Sequence, residues 1–505
     1  MRRLGASITL YVSLSLLICM SLLFSFIELA RVEGMAGRAT LSSLRAKESA
    51  FAQYNRLLWQ EYGVMFFDGG YGMADFAIEN LEYQLEKYGG SSENRDDIIA
   101  LAVSGVMVPE YSLATDNGGR DFLDQACDKI WLVRGASLIS DSSDELEKAK
   151  GLKEDGDGTE NKVSGSFTKL AAGEAKRQKM IEAEKKKAEE EDRSPNLAKY
   201  QDSADIKAFK KTAKEVKSAK KSGGMTAFVL GGAAVSTKSI NESETLSSRT
   251  LNVGTGTGAK TSTTFSSAYK EALFSEYLKE YFSCYTDVKD NRGLDYEMEY
   301  ILSGKATDAK NLEAAIDKLL LLRQAENLAA LKLNTKLDGE AEALAEAISA
   351  AVFLPEIAPA VQIIVEVTWA FVESVMDVRT LLAGGKISLI KSGSEWTSNL
   401  LSLATILDSS YKAKDCASGI TYQGYLNQLI YLESTKTKTY RAMDAMEASL
   451  RLDSLTPNAK MDNMIGRVTG KMEFQGTPLF GSFITMADYG GKVYSYVRDV
   501  EFSYY

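Results

Sequence analysis

At 505 residues, 45 % hydrophobic and 25 % charged, the chain is too long for one core and has apolar mass for two or three structural units. It contains no histidine, which removes Ser-His-Asp and Cys-His catalysis, histidine-ligated zinc and imidazole pH switching. A formal net charge of −10 excludes a domain-wide basic surface and, with it, a dedicated nucleic-acid binder.

Residues Ile8 to Ile27 read ITLYVSLSLLICMSLLFSFI, twenty positions without a charge, of which twelve are Leu, Ile, Val or Phe. About 20 residues at a rise of about 1.5 Å cross the hydrocarbon core of a bilayer. At roughly −0.3 to −0.6 kcal/mol each, the twelve favour insertion by about 4–7 kcal/mol. The anchor is expected to rest on Ile8, Leu10, Leu14, Leu17, Leu22, Phe24 and Ile27. Arg2 and Arg3 precede the run. The positive-inside rule then keeps the N-terminus in the cytoplasm and exports the bulk of a single-pass protein of a bacterial cell membrane. A cleaved signal peptide is the competing reading. Its apolar core would span only about 7–15 residues and end at a small-x-small site, which is lacking here.

The expected fold class is mainly α (α+β), with a distal helical bundle and a small antiparallel sheet. Residues 1–7 form a cytoplasmic stub, 8–27 the span and 28–140 a membrane-proximal helical unit. Residues 141–264 read as a charged and Ser/Thr/Gly-rich flexible insert or linker with exposed helices. Residues 265–505 read as a distal helical domain ending in a strand.

From Glu28 the first helix is expected to continue to Tyr62, with Phe51, Tyr54, Leu58 and Tyr62 on one buried stripe. Asp68-Gly69-Gly70 marks a turn, and a helix from Met73 to Tyr88 ends at Gly89-Gly90. Asn117-Gly118-Gly119 divides two mixed stretches, 96–108 and 120–140. Lys150 to Gly165 has almost no apolar residues and reads as a mobile loop. Within it Asp155, Asp157 and Thr159 have calcium-loop spacing, yet Glu160 holds the glycine position and no closing glutamate follows. Gly173 to Arg193 is a charged helix, single or weakly coiled.

In Asp205 to Lys221 the residues Ile206, Phe209, Ala213 and Val216 form an apolar stripe. Lys207, Lys210, Lys211, Lys214, Lys217 and Lys221 dominate its other faces. They read either as a solvated face or as a contact for anionic lipid or wall polymers. Thr237 to Thr264 reads as linker, and its GTGTG lacks the spacing of a phosphate loop. Beyond it, Tyr269 to Tyr285 places Leu273, Tyr277, Tyr281 and Phe282 on one face. Asn311 to Lys336 and Glu340 to Phe353 are apolar helices, punctuated by Pro355 and Pro359. The stretch 360–383 carries Glu366, Glu373, Asp377 and Arg379, which makes it a core helix and not a second span. Helices follow at Trp396 to Leu407, Gly424 to Ser434 and Thr439 to Leu452. The tail from Lys492 alternates as a strand, with Met472 to Ile484 as its partner.

Chemistry is sparse. Glu366 and Glu373 could act as an acid/base pair, but lie about 10 Å apart along a helix axis, which suits salt bridges to Arg379 or Arg323. Ser218 and Lys221 match Ser-x-x-Lys in an exposed helix. Cys127, Cys284 and Cys416 lie beyond the span and allow at most one disulfide, while Cys19 lies inside it. No catalytic, cofactor-binding or metal-ligating set emerges, and no cofactor is expected.

The blocks GASITLYVSLSLLICMSLLFSFIELARVEGMAGRA and FAQYNRLLWQEYGVMFFD resemble membrane-anchored proteins of tight-adherence (Tad) pilus gene clusters of clostridial bacteria, with a pilin-like N-terminus of the TadE/TadG type. The blocks LDYEMEYILSGKATDAKNLEAAIDKLLLLRQAEN, WAFVESVMDVRTLLAGGKISLIKSGSEW and YRAMDAMEASLR resemble the same uncharacterised family. The resemblance covers roughly 1–135 and 265–460. It implies an exported, non-enzymatic scaffold or minor component of a pilus or secretion apparatus, with protein partners. In processed pilins a glutamate sits five residues past the cleavage glycine. Here that position after Gly5 is Leu10 and the first acid is Glu28, a departure from the pilin pattern that points to a stationary anchor and not to a processed filament subunit. The alternatives are a surface sensor or adhesion module binding wall polymers and, third, an ectoenzyme using carboxylate or Ser-Lys chemistry.

Overall fold

The computed structural model describes residues 2–90, 98–134, 139–222, 224–232, 234–256, 267–407, 410–480 and 493–504. The chain opens with α1 (Arg2–Phe51), α2 (Arg56–Tyr62), β1 (Phe67–Asp68), α3 (Ile78–Gly90), β2 (Ala102–Leu113) and α4 (Asp116–Arg134). It continues through α5 (Ile139–Glu190), α6 (Ala204–Ser222), α7 (Ala227–Leu230), α8 (Ser267–Tyr281), α9 (Glu297–Ser303), α10 (Asp308–Leu333), α11 (Thr335–Ala351) and α12 (Ala358–Leu382). It closes with β3 (Lys386–Ile387), α13 (Leu403–Leu407), β4 (Ile420–Thr421), α14 (Tyr422–Tyr431), α15 (Thr435–Leu450), β5 (Met464–Gly476) and β6 (Tyr494–Ser503). The described residues are thus mainly helical with a small antiparallel sheet, the expected class.

Two compact units divide them. The first takes Met1–Ala126, Arg249–Thr264 and Leu450–Tyr505; the second takes Cys127–Ser248 and Phe265–Ser449. In the first unit β5 is the central strand, paired antiparallel with β2 on one side and with β1 and β6 on the other. Along β5 the side chains alternate: Val468, Met472 and Phe474 are buried, while Lys471, Glu473 and Gln475 are exposed. The C-terminal half of α1 lies on the buried face with Ala39, Ala46 and Ala50, whose small side chains let helix and sheet approach closely. Leu81 and Leu85 of α3 join the same core. Phe51 ends α1 in an aromatic cluster, stacked on Phe502 at 4.0 Å between ring centroids and edge-on to Phe67 at 5.9 Å.

The second unit is built around α12, buried without interruption from Thr368 to Leu381, as a helix surrounded on all sides must be. Helices α10, α11 and α5 pack against it. Its Pro359 sits in the first turn, where a missing N–H costs nothing, and the expected core helix is found.

Several expectations are corrected. The first helix stops at Phe51, because the Asn55 side chain accepts from Leu58 N and restarts the chain as α2. Helix α3 begins at Ile78, not Met73, and Gly89 lies inside its last turn, where a Cβ would stand 2.6 Å from Met472 Cε. Asn117, Gly118 and Gly119 all have positive φ and kink the start of α4. Lys150 to Gly165, expected as a mobile loop, has helical backbone within α5. The C-terminal half of α5 is packed within the second unit: the helix lies against α12, and Gly173 abuts Val352 at the end of α11.

The expected linker is pinned in its described part. Leu246 N–H donates to Asp444 at 2.8 Å, and Arg249 pairs with Asp462 at 2.5 Å. The helix expected over Trp396 to Leu407 is shorter: it starts as a 3-10 turn at Leu400–Ser402 and is α-helical over Leu403–Leu407. The tail strand forms and pairs with β5 as expected, but it completes the sheet of the first unit and does not close the second.

Gly293, just ahead of α9, donates its N–H to Ser449 Oγ at 2.9 Å, and a Cβ there would lie 2.5 Å from the carbonyl carbon of Ala448. Gly293→Ala is therefore expected to destabilise the second unit by about 1–3 kcal/mol, read as a lowered unfolding midpoint of the detergent-solubilised chain. An unchanged midpoint would contradict this packing.

Candidate functional site

Helix α1 presents two environments in sequence. Ile8, Leu10, Leu14, Leu17, Leu22 and Ile27 are all exposed, Leu10 at 70 %, and none of the most apolar stretch is buried. Phe24 is half-buried, stacked on Phe480. Among the described residues α1 is the one helix long and apolar enough to cross a membrane. Arg2 and Arg3 open it. From Arg31 onward the helix is held: Met35, Ala39, Ser42, Ala46 and Ala50 are buried at helical spacing.

Arginines seven residues apart fall on one side of a helix, since two turns take about 7.2 residues. Arg31, Arg38 and Arg45 use that spacing to tie α1 down. Arg31 pairs with Glu28 at 3.0 Å and donates to the Ile98 carbonyl at 2.5 Å and the Thr477 carbonyl at 3.1 Å. Arg38 donates to the Ile99 carbonyl at 3.3 Å, and Arg45 to the Tyr88 carbonyl at 2.9 Å. From the sheet, Arg498 of β6 donates to the Ala36 carbonyl at 3.0 Å.

The second unit holds a buried charge network between α10, α12 and the segment after β3. Arg323 donates twice to Asp377 Oδ2, at 2.8 and 3.1 Å, once to Glu326, and once to Tyr425 Oη at 2.7 Å. Lys391 bridges Asp377 and Glu373. Glu373 also accepts the Thr397 N–H at 3.0 Å and the Ser398 N–H at 2.7 Å. Asn327 donates to Ser374 at 3.0 Å and to Asp377 at 2.8 Å. The side chains of Arg323, Glu326, Glu373, Asp377 and Lys391 are all 0 % exposed.

Two cations thus face three carboxylates, and the surplus is absorbed at Glu326. Burial pushes its carboxyl up to about 7 against the pull of Arg323, and its Oε1 has no hydrogen-bond partner, as fits a carboxyl with a share of neutral form. Burial acts upward on Asp377 too, but Lys391 and Arg323 outweigh it and its carboxyl is held below the usual range. These groups are spent on one another and pin helix to helix.

Glu366 and Glu373 are not brought together as an acid/base pair. Glu366 is paired with Lys332 at 2.5 Å and Glu373 with Lys391, so the expected partners Arg379 and Arg323 are corrected. Arg379 instead donates to the carbonyls of Phe228, Ile406, Leu407 and Tyr411.

On α6 the apolar stripe is buried as expected, but the lysines divide. Lys210 turns inward onto Glu174 and onto Asp202 at 3.0 Å, and Lys217 lies 4.1 Å over the ring of Phe167. Lys207, Lys211, Lys214, Lys217 and Lys221 are exposed, with Lys211 3.6 Å from Glu215. Ser218 is exposed beside them. Cys19 is an exposed free thiol, and Cys127, Cys284 and Cys416 are buried free thiols, so no disulfide forms among them. Burial raises the Cys284 thiol to about 12. Asp155, Asp157 and Thr159 stand on helical backbone, which a calcium loop is not, and their side chains lie outside the described residues.

Residues 203–476, more than half of the 505, match a family of unknown function (DUF5702). The chain belongs to that family. No curated protein and no solved structure matches it. The matched span runs from α6 to β5 and holds the whole buried network, while α1 lies outside it.

Asp377→Asn removes the acid shared by Arg323 and Lys391 and is expected to cost about 3–5 kcal/mol, seen as a large fall in unfolding midpoint. Glu326 behaves with the opposite sign. Its carboxyl rises from 4.5 unfolded to about 7 folded, so its contribution is full below 4.5 and is lost as pH climbs through 7. Between about pH 5 and pH 8 the wild type should lose stability relative to Glu326→Gln, by up to about 3 kcal/mol. Parallel pH profiles for the two proteins would contradict the assignment.

Proposed function

We propose that the protein is a single-pass, membrane-anchored scaffold, with its N-terminus in the cytoplasm and both units outside a bacterial cell membrane. In this reading it is a stationary component of a tight-adherence-type pilus or secretion apparatus. One observation carries it. A continuous helix leaves its first, apolar half without protein cover and gives its second half to a sheet. Apolar side chains exposed in a row along about 30 Å of helix match the bilayer in length and chemistry. Arg2 and Arg3 on one side of the run supply the orientation.

The work of such a molecule is contact. The carboxylates that composition left available for chemistry are largely engaged: Glu366, Glu373 and Asp377 neutralise lysines and an arginine inside the second unit. The reading as a pilus component rests on the likeness of the N-terminal block to Tad-cluster proteins. Partners would be other proteins of the apparatus, together with the lipid around α1.

The test uses one helix as its own control. The double substitution Leu14→Arg and Leu17→Arg costs about 6–8 kcal/mol of insertion, enough to cancel the gain of the whole apolar run. Leu41→Arg places the same charge on an equally exposed leucine, 68 % accessible, of the second half. After alkaline extraction of cell membranes, the double variant should leave the pellet and the Leu41 variant should stay. Retention of both would overturn the anchor.

A further inference from the structure

We propose that the turn Thr477–Phe480, which follows β5, is a second membrane contact seated at the headgroup–acyl boundary beside α1; this rests on α1 spanning the bilayer. Phe480 stacks on Phe24 with ring centroids 4.8 Å apart and planes 6° from parallel. Phe24 stands three residues before the end of the apolar run at Ile27, or about 4.5 Å along the axis. The turn therefore reaches past the end of the run and lies level with lipid-facing helix.

Backbone exposed at that depth has no water to bond and must be satisfied by protein. The turn meets part of this demand from α1. Pro478 has no N–H, the Leu479 and Phe480 N–H groups donate to Glu28 at 3.3 and 3.4 Å, and the Thr477 carbonyl accepts from Arg31 at 3.1 Å. Glu28 and Arg31 neutralise each other at 3.0 Å while doing so. With both amides and the Thr477 carbonyl engaged, the turn leaves Leu479 51 % exposed, as Leu22 and Leu23 of α1 are at 53 % and 51 %. Tyr496, whose hydroxyl donates to the Val32 carbonyl at 3.1 Å, stands about one turn farther out, the level at which amphipathic rings border a bilayer. The occupant is lipid because the surface continues the apolar run of α1. One ion pair thus ties the segment after β5 to α1 as a wedge that fixes how deep the first unit sits.

The test reads depth directly. In full-length protein carrying Cys19→Ala, which removes the exposed thiol and leaves the buried ones, a nitroxide is attached at Leu479→Cys, at Leu22→Cys or at Leu41→Cys. The chain is reconstituted in phosphatidylethanolamine–phosphatidylglycerol vesicles, and collision with oxygen is compared with collision with a water-soluble nickel chelate. The proposal expects the oxygen-to-nickel ratio at 479 to exceed that at 41 several-fold and to approach that at 22. A ratio at 479 equal to that at 41, with 22 reading lipid, overturns the proposal and leaves the anchor intact. Low collision with both reagents at 479 shows a protein occupant, a second copy included, and also overturns it. An aqueous reading at 22 removes the spanning reading and the proposal together.

Discussion

A helix satisfies its own backbone, and this lets one element pass between environments that differ in every other respect. In the reading proposed here helix α1 uses that property. It is bare and apolar through Ile27, then carries Glu28 and Arg31, then offers alanines and serines to a sheet. Because the hydrogen bonds of the helix are internal throughout, no loop is needed at the change of surroundings. What the second half must supply is a grip, and the arginines at 31, 38 and 45 supply it by donating to carbonyls of the surrounding chain. The sheet in turn depends on α1, since Val468, Met472 and Phe474 of β5 share one core with Ala39 and Ala46.

The second unit solves a different problem. Helix α12 is so fully enclosed that charges placed on it have no route to water, and they persist because each has a partner. Burying a charge costs several kcal/mol unless it is paired and hydrogen-bonded. Arg323, Asp377, Lys391 and Glu373 meet both conditions, and Glu326 escapes the surplus by gaining a proton more readily. Such a network adds little net stability over an apolar core of equal volume. A shift of α10 along α12 would strand Arg323 or Asp377 without its partner.

How much of this was legible follows from how local each signal is. The long apolar helix could be read from Ile8 to Ile27 because length and apolarity are properties of one segment. The core character of α12 could be read from four charges in an apolar run, and the closing strand from alternation after Lys492. The network was half visible. Arg323 and the α12 acids stood out, but their pairing needs α10 beside α12, and Lys391 lies in an irregular segment with no pattern to mark it. The tail's allegiance was invisible for a similar reason: Val468 sits opposite Tyr111 across β5 and β2, and nothing near either residue announces a partner so distant in the chain. The lysines of α6 misled in part because composition counts charges without their partners, and Lys210 is engaged by Glu174 and Asp202. Helix α5 runs against its composition, because a stretch as poor in apolar residues as Lys150 to Gly165 reads as loop while its backbone is helical.

The central claim is that α1 is one unbroken helix serving bilayer and protein core at once. Hydrogen–deuterium exchange on the full chain in lipid nanodiscs tests it most directly, followed peptide by peptide from Ile8 to Phe51. The account predicts slow exchange on both sides of Glu28 with no fast segment at Gly34 to Gly37, where glycine makes a helix easiest to break. Fast exchange confined to that stretch, dividing an anchor from a separate spine, would contradict it.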